Sequence, residues 1–159
     1  MAALLQAHGV EFIVIGGQAE TLYGSPRVTS DVDLCYRRTP ENLKRLAEAL
    51  RELKPTLRGA PADLPFRVDA QSLELGSNFT FSTRAGDLDL LGFVEPLGRF
   101  EELDRRAVIA DLGSMRVRII DLDDLIRIKQ HIGRTKDLDS LVQLLAIKRV
   151  RDGAAPAGQ

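Results

Sequence analysis

Two apolar runs near the start of the chain carry residues that are unusual in an ordinary core strand. The first run, Phe12 to Ile15, leads directly into the glycine pair Gly16 and Gly17. The second, "SDVDLCY", contains two aspartates two positions apart, Asp31 and Asp33. Each run has the length and composition of a buried β-strand, and the helical pattern "QAETLYG" follows the first. The sequence therefore predicts two strands with a helix between them, the second strand carrying a pair of carboxylates.

The length and composition of the chain limit what can be built around these strands. At 159 residues it fits one domain with a real core, which we expect over residues 1–150, and a flexible tail over 151–159, where periodicity is lost. A content of 44% apolar and 28% charged residues is typical of a globular protein, and no apolar run reaches the length of a membrane span. The N-terminus lacks a basic leader, so we expect a cytoplasmic location. Cys35 is the only cysteine and is expected to be a buried thiol.

Helical periodicity recurs in the rest of the chain. "TPENLKRLAEALREL" predicts a helix with Thr39 as its N-cap and Pro40 at its first position. Asp121 is expected to cap "LDDLIRIKQHIG", and "KDLDSLVQLLAIKRV" predicts the last helix. A shorter helix is expected at "FEELDRRA". Residues 54–75, rich in proline, read as a loop with one helical turn near its end.

Two hairpins complete the pattern. "SNFTFSTRAGDLDLLGFV" alternates apolar and polar residues on both sides of a turn at 84–86, and "AVIADLGSMRVRII" turns near 113–114. Strands alternating with helices predict an α/β fold with a mixed β-sheet flanked by helices.

The two aspartates and the two glycines suggest one kind of ligand. Residues i and i+2 of a strand point to the same side, about 6.5 to 7 Å apart, so Asp31 and Asp33 share a face. Two like charges at that spacing repel unless a cation neutralises them, and Mg²⁺ prefers carboxylate and phosphate oxygens. At Gly16 and Gly17, where a strand ends and a helix begins, free N–H groups favour an anion. The pattern predicts a site for a metal-bound polyphosphate.

The order of these motifs resembles the nucleotidyltransferase superfamily that shares the palm of DNA polymerase β. Its hallmark is a G-G or G-S turn followed by D-x-D or D-x-E, with a third acid on a later strand. Within "GDLDLLG" the third position is matched by Asp89 in preference to Asp87, because Asp89 stands inside the strand. The resemblance extends from Val10 to about Ile147.

The resemblance implies a nucleotidyltransferase fold and a metal-dependent reaction. Two Mg²⁺ ions, with Mn²⁺ as an alternative, would align a nucleoside triphosphate such as ATP with an acceptor hydroxyl, and pyrophosphate would leave. Asp31 and Asp33 would bind both ions. Asp89 would complete the catalytic metal site and act as general base.

Two segments are similar to AbiEii-type toxin nucleotidyltransferases. "RVTSDVDL" contributes Arg27 and Thr29, which the resemblance assigns to nucleotide or phosphate binding with Gly16 and Gly17. "IKQHIGRTKDLDSL" contributes further phosphate-binding cations and a supporting acid: Lys129, Arg134, Lys136 and Asp137. Asp139 is an alternative to Asp137 for orienting the cations. This resemblance implies an RNA acceptor such as the 3′ end of tRNA, and an antitoxin protein as partner.

Other readings of the same residues stay open. Arg27 is equally consistent with an ion pair at a turn, Thr29 with a turn cap, and Lys129 with a solvated helix face. The acceptor could instead be a small molecule such as an antibiotic, or a protein. A nucleotide-binding antitoxin or regulatory module without turnover is a further alternative.

Overall fold

The structure is a computed structural model that describes residues 1–61 and 63–154. The helices in this part of the chain are α1 (Ala2–Ala7), α2 (Gly16–Leu22), α3 (Pro40–Leu53), α4 (Ala70–Leu75), α5 (Phe100–Asp104), α6 (Leu122–Ile132) and α7 (Thr135–Ala154). The strands are β1 (Phe12–Ile15), β2 (Val32–Tyr36), β3 (Thr56–Leu57), β4 (Asn78–Thr83), β5 (Gly86–Leu91), β6 (Val108–Asp111) and β7 (Arg116–Ile119).

The strands form one mixed sheet in the order β3-β4-β5-β2-β1-β7-β6. β1 runs antiparallel to β2 and parallel to β7, while β2 runs parallel to β5. The two predicted hairpins, β4 with β5 and β6 with β7, extend the sheet on either side of this centre. The predicted α/β fold with a mixed sheet flanked by helices is confirmed.

The centre of the sheet is buried because its strands are almost entirely apolar. All four residues of β1 are buried, and Leu34, Cys35 and Tyr36 of β2 are inaccessible to solvent. Cys35 is therefore the buried thiol that the sequence predicts. Helix α3 packs an apolar face on this core and is capped by Thr39, whose hydroxyl accepts a hydrogen bond from the backbone N–H of Asn42 at 3.3 Å.

Two regions differ from the sequence prediction. The segment read as a loop contains a two-residue edge strand, β3, which pairs with β4 and is too short to have a recognisable period. Helix α7 continues to Ala154, so the first four residues of the predicted flexible tail are helical, and residues 155–159 lie outside the described part. The guanidinium of Arg151 lies 5.2 Å from the centre of the Tyr23 ring, a tertiary contact that stabilises this end of α7.

Across residues 1–61 and 63–154, no helix is both long enough and apolar enough to cross a bilayer.

Candidate active site

All the candidate site residues lie around one cleft of about 650 Å³. One side is formed by the Gly16-Gly17 turn, the start of β2 and the second half of β5, and the other side is formed by helices α6 and α7. The cleft residues singled out from the sequence are Gly16, Gly17, Arg27, Thr29, Asp31, Asp33, Asp89, Lys129, Arg134, Lys136 and Asp137. Residues more than 100 positions apart in sequence therefore meet at one site.

The carboxylates come together because β2 and β5 are adjacent and parallel. Asp33 is the direct register partner of Asp89, and Asp31 immediately precedes β2. Burial raises the pKa of Asp33 to about 6, and the negative charges of Asp89 and Asp31 act in the same direction, while Lys129 opposes them. Burial and the neighbouring negative charges thus both disfavour the ionised form of Asp33.

Only glycine fits at position 16, because this position lies directly beside Asp33. The φ of Gly16, +63°, lies in the left-handed region, and a Cβ atom added there would lie 2.2 Å from Oδ2 of Asp33. No side chain fits that space, so the backbone at the start of α2 approaches the carboxylate directly. The predicted glycine turn and the predicted acid are thus parts of one local structure.

Thr29 and Gly17 pack together beside this turn. A Cβ atom on Gly17 would lie 2.9 Å from Cγ2 of Thr29. The Thr29 hydroxyl accepts a 3.4 Å hydrogen bond from the backbone N–H of Asp31, and its carbonyl accepts one from Gln18 at 3.3 Å. Thr29 therefore caps the turn, which is one of the two roles that the sequence allowed for it. Thr29 also lines the cleft.

Arg27 connects the loop before β2 to the start of α7. Its guanidinium donates to the carbonyl oxygen of Lys136 at 3.1 Å and to the hydroxyl of Ser140. These partners are neutral, so the positive charge of Arg27 is not cancelled by a carboxylate. An ion pair with an acidic neighbour, the alternative left open by the sequence, is not among its described contacts.

Lys129 lies between two buried carboxylates. Its Nζ is 2.6 Å from Oε1 of Glu20 and 3.3 Å from Oδ1 of Asp137. The Nε of Arg134 donates to the other oxygen of Asp137 at 2.7 Å. Burial alone would raise the pKa of Asp137, but the Arg134 hydrogen bond and the Lys129 charge outweigh it and lower that pKa below its ordinary value. Asp137, which is buried, contacts both cations, whereas Asp139 is exposed.

Two charged residues of this site, Glu20 and Arg58, are absent from the sequence prediction. Arg58 follows β3 and forms ion pairs with Asp89 and with Asp87, the latter at 3.0 Å. Hydrogen bonds from Ser82 and Arg58 lower the pKa of Asp87, which does not line the cleft. Arg58 carried no sequence signal because its segment read as a loop. Glu20 resembled an ordinary polar position of an amphipathic helix.

The cleft lining also includes apolar side chains. Leu91, Phe93 and Ile132 are among them, and Phe93 is 45% exposed. His131 and Glu95 line the cleft as well, 3.3 Å apart. Tyr23, Phe79 and Phe81 do not line this cleft, and Phe81 is fully buried.

The chemistry of the donor set fits a hard divalent cation. Asp31, Asp33 and Asp89 offer only oxygen ligands, and burial together with the two neighbouring carboxylates raises the pKa of Asp33. Within residues 1–61 and 63–154, however, no three His, Cys, Asp or Glu side chains have the spacing of a formed metal site. Arg58 supplies the positive charge next to Asp89 in this structure.

The chain has the nucleotidyltransferase fold, as comparison with solved structures indicates. The lincosamide antibiotic adenylyltransferase LnuA with bound lincomycin superposes with a TM-score of 0.59, at 15% identity over 92% of each chain. The antibiotic-resistance factor ANT(2'')-Ia gives a TM-score of 0.59, at 14% identity over 96% of this chain and 85% of its own length.

A proposed nucleotidyltransferase from Thermotoga maritima gives a TM-score of 0.56, at 14% identity over 91% of this chain and 87% of that one. No family model matches the sequence, and no curated protein matches it. At these identities the likeness establishes the fold alone.

Proposed function

We propose that this protein is a metal-dependent nucleotidyltransferase that moves a nucleoside monophosphate from a nucleoside triphosphate to an acceptor hydroxyl. The observation that carries the proposal is the register pairing of Asp33 with Asp89 beside the Gly16 turn. It brings a carboxylate cluster and a strand-to-helix turn suited to phosphate into one cleft. The fold shared with nucleotidyltransferases supports the same reaction class.

Asp31, Asp33 and Asp89 would hold Mg²⁺, as two ions, with Mn²⁺ as a substitute. When bound, the metal would neutralise the phosphates and the leaving pyrophosphate. Asp89 is the candidate general base that accepts the proton of the attacking hydroxyl. Arg58, which pairs with Asp89 in this structure, would have to share that carboxylate with the metal.

The phosphates would be bound by backbone and side-chain donors on both sides of the cleft. Gly16 and Gly17 would offer backbone N–H groups, and Arg27 a guanidinium not cancelled by a carboxylate. The remaining candidates lie on the α6 and α7 side: Lys129, Arg134 and Lys136. Thr29 would act mainly by holding the turn, and Asp137 by orienting Lys129 and Arg134.

We propose the 3′ end of an RNA such as tRNA as the first acceptor, with an antitoxin protein as partner. This choice rests on the "RVTSDVDL" and "RTKD" segments. A small-molecule hydroxyl is the second candidate, because Leu91, Phe93 and Ile132 add apolar surface to the lining of the cleft. LnuA, which shares the fold, is a lincosamide adenylyltransferase.

The test is incubation with each labelled nucleoside triphosphate and Mg²⁺ in the presence of total RNA, of an aminoglycoside and lincosamide panel, or of the protein alone. Label in RNA supports the first acceptor, label only in a drug supports the second, and label in the protein supports protein modification. Asp33→Asn is the control in every arm. Absence of both label transfer and magnesium-dependent nucleotide binding would overturn the proposal, and binding without transfer would favour a regulatory module.

A further inference from the structure

We propose that Glu20 is a positioning residue that holds the Lys129 ammonium so that one of its N–H groups is left for the phosphates of the nucleotide. The inference rests on the proposed function. It adds to the reaction a residue that the sequence motifs do not contain.

The contacts around Lys129 account for two of its three donors. Oε1 of Glu20 lies 2.6 Å from Nζ, and Oδ1 of Asp137 lies 3.3 Å from the same atom. An ammonium group has three N–H donors, so one is not assigned to these carboxylates. Lys129 lines the cleft with 12% of its side chain exposed, which leaves it accessible to a ligand from that side.

The charges around Lys129 indicate that the position of its ammonium group matters more than the net charge of the cluster. Glu20 and Asp137 carry two negative charges, and Lys129 and Arg134 carry two positive charges, so the cluster is neutral before any phosphate arrives. Lys129 therefore does not attract phosphate as an isolated cation. Its contribution depends on a directed hydrogen bond, which requires a fixed ammonium.

Glu20 is also not explained by stability alone. Its side chain is 1% exposed, and its second oxygen, Oε2, has no hydrogen-bond partner among the described residues. A buried carboxylate with one unsatisfied oxygen is unfavourable, and an apolar residue of similar size would avoid that cost. The buried carboxylate therefore points to a role at the cleft.

The position of Glu20 on α2 connects both sides of the phosphate site. It lies one helical turn after Gly16, the residue that opens the helix next to Asp33. The ion pair with Lys129 joins this helix to α6. The glycine turn and the ammonium are therefore held at a fixed separation by a single short contact.

The experiment is a double-mutant cycle on nucleotide affinity. The probe is a non-hydrolysable ATP analogue with Mg²⁺, measured by calorimetry on wild type, Glu20→Gln, Lys129→Gln and the double variant. We expect Glu20→Gln to weaken binding about tenfold, because the neutral amide oxygen of glutamine accepts a weaker hydrogen bond from Lys129 and holds the ammonium less firmly. The double variant should bind no worse than Lys129→Gln. Mn²⁺ affinity without nucleotide should not change, and Glu48→Gln, an exposed position on α3, should bind as wild type.

Two results would contradict the inference. Glutamine removes a negative charge. If Glu20 acted only through its electrostatic repulsion of the phosphates, Glu20→Gln would therefore bind the nucleotide more tightly, and that outcome overturns the inference. Unchanged nucleotide affinity with a lowered unfolding temperature would mean that Glu20 has only a structural role, and this outcome would also overturn the inference. Glu20→Asp, which keeps the charge but is shorter, carries the same test if the glutamine variant does not fold. Wild type that binds no nucleotide would instead overturn the proposed function and the inference together.

Discussion

Asp33 of β2 and Asp89 of β5 are directly paired across a parallel ladder, so two carboxylates meet where the sheet borders the cleft. Parallel neighbours place equivalent residues side by side on the same face. Arg58 pairs with Asp89, whereas no described cation forms an ion pair with Asp33.

Replacing Asp33 with asparagine should stabilise the metal-free protein at pH 7. The pKa of Asp33 is raised from 3.8 to about 6, so its ionised form costs folding free energy of about 2 to 3 kcal/mol. That corresponds to an unfolding temperature higher by roughly 5 to 10 °C, measured by calorimetry in EDTA. The cost is present above pH 6 and disappears as the pH falls towards 4, so wild type should gain stability on acidification and converge with the variant. A difference that stays constant between pH 7 and pH 4 would contradict this.

The third acid should be identifiable by metal removal. In wild type, Mg²⁺ with a nucleoside triphosphate should raise the unfolding temperature, and EDTA should abolish that increase. Asp89→Asn should lose the increase, because it removes an oxygen ligand from the cleft. Asp87→Asn is the matched control: Asp87 lies two residues earlier, pairs with Arg58 and does not line the cleft. If Asp87→Asn loses the response and Asp89→Asn retains it, the assignment is reversed.

Gly16→Ala should disrupt the site far more than the backbone conformation alone would predict. Both Gly16 and Gly113 have positive φ, +63° and +77°, but only at Gly16 would a Cβ atom meet a carboxylate, 2.2 Å away. Gly113→Ala should therefore cost only the strain of a left-handed residue, about 1 to 2 kcal/mol. We expect Gly16→Ala to cost more and to lose magnesium-dependent nucleotide binding, measured by denaturant unfolding and calorimetry. Equal losses of stability with nucleotide binding intact would argue against the close approach.

Arg58→Gln should change the response to metal in the direction set by charge. Removing the guanidinium leaves Asp89 without its ion-pair partner, so the metal-free protein should unfold at a lower temperature. Mn²⁺ should then stabilise the variant more than wild type, because it no longer competes with Arg58. Arg67→Gln, at a largely exposed arginine paired with Asp69 at 3.8 Å, is the control and should behave as wild type. Weaker Mn²⁺ stabilisation in Arg58→Gln would mean that the arginine supports the metal ligand.

The local sequence pattern was sufficient to predict most of the helices and strands. Periodicity and caps predicted the helix that begins at Pro40 and the one capped by Asp121, and alternation predicted the hairpin of β4 and β5. Strand β3 was missed because two residues have no period and the strand exists only through pairing with β4. The sequence pattern ended the last helix at Val150, whereas α7 continues to Ala154 and its Arg151 contacts Tyr23, far away in sequence.

For the site, the sequence by itself determined the residue types: a glycine pair, a D-x-D pair, a third acid and a late cationic segment. These residue types indicate a ligand, because carboxylate oxygens prefer hard cations and free backbone N–H groups at a helix start prefer anions. Only the tertiary structure decided which charges neutralise each other. Glu20 with Lys129, and Arg58 with Asp89, are separated by more than 30 positions in sequence and become partners only because helix packing and strand order bring them together.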